Sequence, residues 1–162
     1  MTASKDQIEL FGEVNRYEYY PVLLLDSDSH ADLQVLNQEL IALGFKPSQL
    51  TKLPHVSLDG KVCEENDQQI RNDLVSFLEH QKPLVLRFTG MSQFPGRGGV
   101  TSILRVGNEA ELIDFNQKMM QAIGGKVTKL KNLHLTLARY VNPDLQKAAV
   151  AKDLGPRKYA CN

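Results

Sequence analysis

Two short stretches carry residue types able to do acid–base chemistry on a phosphate. Pro54-His55-Val56-Ser57-Leu58 and Leu133-His134-Leu135-Thr136-Leu137 both read histidine, apolar, hydroxyl, apolar. Side chains alternate faces along a strand, so His55 shares a face with Ser57, and His134 with Thr136, while the apolar residues between them point the other way. Each strand then presents an imidazole and a hydroxyl about 6.5–7 Å apart along the backbone. Breaking a phosphodiester near neutral pH calls for a base on the incoming oxygen and an acid on the leaving oxygen. Histidine serves either role because the residue type titrates near the working pH. Hydroxyls donate hydrogen bonds to the non-bridging oxygens, where charge builds in the transition state. One His-x-Ser alone is more often a satisfied strand histidine. Two copies among four histidines, both on predicted strands and both followed by leucine, make coincidence the poorer reading. His30, at a predicted helix start, and His80, near a predicted helix end, lack this setting and read as structural.

The elements that must position these residues follow from periodicity and punctuation. Tyr19 to Leu25 reads as a buried strand closed by Asp26-Ser27-Asp28-Ser29. Ser29 and Asp32 have capping-box spacing, Leu33, Leu36, Leu40 and Leu43 follow a helical stripe, and Gly44 terminates it. Leu53 to Leu58 is a strand, with a turn expected at Asp59-Gly60. A second amphipathic helix is expected over roughly Glu64 to His80. In the second half, Leu84, Leu86 and Phe88 alternate as a strand. The Gly-rich stretch Pro95 to Gly99 leads to a strand over Thr101 to Val106, and Asn108 and Glu111 cap a helix that Gly124-Gly125 ends. Leu133 to Val141 is the last predicted strand. Both halves run strand, helix, strand with a histidine on the second strand, which implies two similar lobes in a single domain over residues 1–162, its core at about 17–141.

The doubled motif resembles the signature of the two-histidine (2H) phosphoesterase superfamily: histidine, any residue, serine or threonine, apolar, occurring twice. The likeness extends to Leu86-Arg87-Phe88-Thr89-Gly90-Met91-Ser92-Gln93-Phe94-Pro95, similar to the family's central strand and following Phe-Pro turn, and to Leu137-Ala138-Arg139 after the second motif. The resemblance implies an α+β bilobal fold, two antiparallel sheets facing across a cleft with helices outside. It implies catalysis by His55 and His134, substrate binding by Ser57 and Thr136, and no metal or other cofactor. It also implies a 2′-linked RNA-type phosphodiester as substrate. This is either the 2′,5′-oligoadenylate targeted by viral antagonists of host innate immunity or a 2′,3′-cyclic phosphate of the kind RNA cyclic phosphodiesterases open. The branch, and which histidine is acid and which base, stay open.

Composition narrows the partners. Lysine plus arginine equal aspartate plus glutamate at 19 each, so the chain lacks the basic footprint of a protein that grips long duplexes. A short RNA or oligonucleotide in a local pocket is the expected partner, with no long duplex, no membrane and a monomeric chain. Cys63 and Cys161 are too few for a disulfide scaffold or a cysteine zinc site and read as reduced thiols of a cytoplasmic protein. The longest apolar run is too short to span a bilayer. Pro95-Gly96-Arg97-Gly98-Gly99 matches neither a Walker loop nor a dinucleotide fingerprint and reads as a turn, the lesser reading having Arg97 reach a phosphate. Asp26 to Ser29 lacks calcium-loop spacing, and His55 and His134 lack nearby zinc partners. Tyr17, Tyr19, Tyr20 and Tyr140 could stack on a base, though core or rim packing is the favoured role. Two rivals remain: a nucleotide- or RNA-binding module that keeps the cleft without turnover, and a structural partner protein for which the doubled motif is coincidence.

Overall fold

The computed structural model describes residues 17–58, 60, 62–64, 67–127, 132–152 and 157–161. In chain order the elements are β1 (Tyr17–Tyr19), β2 (Val22–Leu24), α1 (Ser27–Ala42), β3 (His55–Ser57), β4 (Val62–Glu64), α2 (Asp67–Leu78), β5 (Leu84–Gly96), β6 (Gly99–Val106), α3 (Glu109–Ala122), β7 (His134–Val141), α4 (Pro143–Ala151) and β8 (Arg157–Cys161). Strands β2-β3-β7-β6-β5-β8 form one antiparallel sheet in that order, and β1 and β4 form a separate ribbon. The α+β class is as expected. The two halves of the large sheet meet through the β3–β7 pair Val56 with Leu135, beside which an isolated bridge joins Leu50 to Ala138.

All four α-helices among the described residues feed one apolar cluster against this sheet. Leu33, Leu36 and Leu40 of α1, Ile70 of α2, Leu112, Phe115, Met119 and Met120 of α3, and Ala149 of α4 join Leu23, Val56, Leu104, Val106, Leu135 and Leu137 from the strands. The described helices contribute to the cluster side of the sheet. Among the described residues no helix is long and apolar enough to cross a membrane.

Local chemistry sets the boundaries. The single strand expected over Tyr19 to Leu25 is two, broken at Tyr20-Pro21. Proline has no N–H for a ladder, and its carbonyl instead accepts from the Leu58 N–H at 3.0 Å, so the chain leaves β4 as partner and takes up β3. Helix α1 begins earlier than the Ser29–Asp32 spacing implied: Asp26 is the cap, its side chain accepting from the Ser29 N–H at 2.8 Å. Its end is as read. Gly44 has φ 107, its N–H bonds the Ile41 carbonyl, and the N–H of buried Phe45 reaches back to Leu40, a Schellman closure that satisfies carbonyls the helix leaves free. Residue Glu64, expected in the second helix, lies in β4, which pairs with β1. The Phe94-Pro95 pair does not turn the chain. Strand β5 continues through it to Gly96, and Arg97-Gly98 make the hairpin turn, with φ 78 at Gly98. Asn108 stands at the N-cap position of α3, but its side chain serves the sheet, accepting from the Arg87 N–H and donating to the Val85 carbonyl. Helix α4 and strand β8 were not anticipated. Asp59 lies outside the described residues.

Candidate active site

The pair Val56 with Leu135 fixes how the histidines meet. In an antiparallel register through that pair, His55 lies opposite Thr136 and Ser57 opposite His134. Val56 and Leu135 are wholly buried in the core, so the four polar side chains project from the other face. The two imidazoles occupy diagonal positions, about 7–8 Å apart at the backbone, related by an approximate twofold axis through the pair. The point above Val56–Leu135 is flanked by an imidazole and a hydroxyl from each strand.

Each imidazole is oriented in the same way. His55 Nδ1–H donates to the Leu53 carbonyl at 3.0 Å, and His134 Nδ1–H to the Asn132 carbonyl at 2.7 Å. With the proton of the neutral ring committed at Nδ1, the basic lone pair is on Nε2. Asn132 reaches this geometry through a left-handed backbone, φ 56, a region that asparagine tolerates better than most residues. His134 has a second restraint: the Phe94 ring packs against it near-perpendicular, centroids 4.8 Å apart. The histidines and Thr136 are half-buried, and Ser57 is exposed.

Cross-strand pairing extends the site in two rows. One runs Val22, Ser57, His134, Arg105, Gly90; the other runs Leu24, His55, Thr136, Ile103, Ser92. Ile103 is buried but outside the core cluster, so it floors the open face. Val22 and Leu24 stay exposed, an apolar margin beside β3. Arg105 stands between the core residues Leu104 and Val106 in sequence and therefore on the histidine side.

Arg105, Phe94 and Asn132 were not picked out from the sequence. The alternation in Ile103-Leu104-Arg105-Val106 marks Arg105 as outward, but only strand order reveals its neighbour. Arg97 is exposed at the tip of the β5–β6 hairpin as a turn residue. Of the core or rim packing expected of the tyrosines, the core alternative is excluded for Tyr20 and Tyr140, which are 62% and 67% exposed. His30 sits in the first turn of α1 and His80 just beyond α2. Among the described residues no group of three histidine, cysteine or carboxylate side chains is placed to hold a metal ion. A groove of about 560 Å³ lined by Leu23, Leu58, Ile70, Leu74, Phe115 and Met119 lies on the helix side, away from the histidines.

With this geometry in hand, the comparisons are decisive on family. The model of the 2′-5′ RNA ligase superfamily matches residues 42–160, which include both histidine strands. The chain belongs to that superfamily. These are the two-histidine phosphoesterases, so phosphoester chemistry is the chain's business. The matched segment continues past Val141 through α4 into β8 and omits β2 and most of α1. No curated protein matches in sequence. Among solved structures, the MHV ns2 PDE domain superposes with a TM-score of 0.53 at 15% identity, over 87% of this chain and 88% of that one. At that identity the likeness concerns the fold, and it agrees with the α+β architecture described above.

Proposed function

We propose that the chain is a metal-independent phosphodiesterase that cleaves 2′-linked phosphodiesters of short RNA-type substrates, with His55 and His134 as its acid–base pair. The observation that carries this reading is the mirrored arrangement about Val56–Leu135, two Nδ1-anchored imidazoles each with a hydroxyl opposite. On a 2′,5′ linkage, one Nε2 takes the proton of the adjacent 3′-hydroxyl as its oxygen attacks phosphorus. The bond to the 5′-oxygen breaks, and the second imidazole, as imidazolium, protonates that oxygen. The product is a 2′,3′-cyclic phosphate, and the histidines end with their protons exchanged. On a 2′,3′-cyclic phosphate, water takes the nucleophile's place and one ring oxygen is protonated as it leaves. Ser57 and Thr136 hydrogen-bond the non-bridging oxygens in both reactions. A binding module without turnover would have no chemical use for two basic Nε2 atoms flanking one point.

The test is incubation of purified protein, with EDTA present, with 2′,5′-oligoadenylate, 3′,5′-oligoadenylate and a nucleoside 2′,3′-cyclic phosphate. Turnover of a 2′-linked substrate and not the 3′,5′ control is expected. His55→Ala and His134→Ala should each lose about 10²–10⁴-fold, and the double variant should be little worse than the worse single one, because the pair acts as a unit. Loss of turnover on chelation would overturn the metal-free mechanism, and near-normal turnover by either folded histidine variant would overturn the assignment.

A further inference from the structure

The row that carries Ser57 and His134 continues onto β6 at Arg105 and onto β5 at Gly90. Arg105 is exposed between two core residues, and no hydrogen bond or ion pair to it is formed among the described residues. Among the described residues no carboxylate occupies either row of the open face, so within them the guanidinium is a positive charge without a carboxylate partner beside an imidazole. Opposite it, Gly90 has φ 137 and no atom within 4 Å of where a Cβ would stand. Gly90 stands at a register shift between β5 and β6, where a bulge accounts for its positive φ, and the missing side chain leaves room above the strand beside Arg105. Charge, open floor and register coincide one strand beyond His134.

We infer that Arg105 is a specificity-determining residue that holds a second phosphate of the substrate, one nucleotide along from the phosphate being cleaved. This rests on the function proposed above. The reacting phosphate sits over β3 and β7, where two imidazoles and two hydroxyls already surround it. Arg105 lies outboard by one strand spacing, about 4.7–4.9 Å, with His134 between it and that centre. Its planar fork suits bidentate contact with a phosphate that undergoes no reaction. The substrate class that follows is an oligonucleotide with at least two phosphodiesters, favoured over a dinucleotide or a mononucleotide cyclic phosphate.

The experiment compares wild type, Arg105→Ala and Arg105→Lys on a 2′,5′-linked adenylate dimer, which has one phosphodiester, and the matching trimer, which has two, neither with a terminal phosphate. Wild type should prefer the trimer in kcat/KM. Arg105→Ala should cut the trimer-over-dimer preference about 10- to 100-fold, the scale of a lost hydrogen bond to a charged group, with the change in KM for the trimer. Arg105→Lys should restore part of it, because charge is kept and the fork lost. Added salt should erode the preference in wild type more than in Arg105→Ala. Equal losses on dimer and trimer, carried by kcat, would overturn the proposal in favour of contact with the reacting phosphate, and an unchanged preference would overturn it outright. If wild type turns over neither substrate, the 2′,5′ branch of the function reading fails by itself. Equilibrium binding of dimer and trimer to the same three proteins then decides Arg105 independently, with equal affinity ratios counting against it.

Discussion

Asn132 ties a left-handed backbone to the orientation of the His134 imidazole. Its left-handed backbone, φ 56, aims a carbonyl at His134 Nδ1 from 2.7 Å, whereas Leu53 serves His55 at 3.0 Å without positive φ. A β-branched side chain at position 132 would meet a left-handed penalty of roughly 1–2 kcal/mol and would relieve it by rotating the peptide, which withdraws the acceptor. Asn132→Val should therefore lose both stability, by about that amount in urea unfolding, and turnover, whereas Asn132→Gly, free to adopt positive φ, should lose much less turnover. An NMR spectrum of the imidazole nitrogens separates the causes: in Asn132→Val the Nδ1–H tautomer of His134 should cease to dominate. Wild-type tautomer with wild-type rate in that variant would show the carbonyl to be incidental. That His55 and His134 stand on neighbouring strands was legible in the sequence because a motif repeated on two strands survives any fold that pairs those strands. Arg105 was not. Its relation to His134 is a matter of which strand lies next to β7, and nothing local in Thr101 to Val106 encodes that.

Elements were read best where the punctuation was chemical and worst where long-range pairing chose between options. The leucine stripe of α1 and its Gly44 stop are local and were plain. The break at Pro21 has a local cause, but its consequence, that β1 turns to β4 while β2 turns to β3, depends on partners some forty residues on. Helix α4 is short, opened by Asn142 and Pro143, with Asn142 accepting from the Asp144 N–H at 2.8 Å, a start signal passed over beside the stronger motif before it. At the start of α1, Asp26 makes a pH-dependent contribution. Hydrogen bonds from the side chain and then the backbone N–H of Ser29 hold its carboxyl below the ordinary 3.8, against a smaller opposing effect of burial. The folded state thus favours the ionised form. The stabilisation is fully present above the unfolded carboxyl's value and is lost as pH falls through the lower folded value. Asp26→Asn, which keeps an acceptor at the cap, should flatten the acid side of the stability profile, and Asp26→Ala should lower stability near neutrality as well. Urea midpoints between pH 2 and 6 check this, and an Asp26→Asn profile parallel to wild type would refute it.

The molecule as a whole reads as two lobes in sequence yet is built as one body. Strands β3 and β7 share one ladder pair, with Leu50 bridged to Ala138 beside it, and the row through that pair, Leu23, Val56, Leu135, Leu104, Met91, continues from one half to the other. The first four of these belong to the same apolar cluster as the cores of all four helices. The site demands this. In the proposed mechanism two imidazoles flank one phosphorus atom, which needs the strands carrying them not to move independently, and the core beneath them joins those strands. Cooperative, two-state unfolding is the expected consequence. Leu135→Ala, at a wholly buried position under the axis of the site, should cost about 2–5 kcal/mol, a large share of the roughly 5–15 kcal/mol typical of a domain. Native-state hydrogen exchange locates the loss. If the chain is one cooperative unit, the slowest-exchanging amides of β3 and of β5 and β6 should lose protection by the same free energy, because all exchange through the same global opening. A loss confined to β6 and β7, with β2 and β3 keeping their protection, would mean that the halves open separately and that the histidine geometry is held by something other than the shared core.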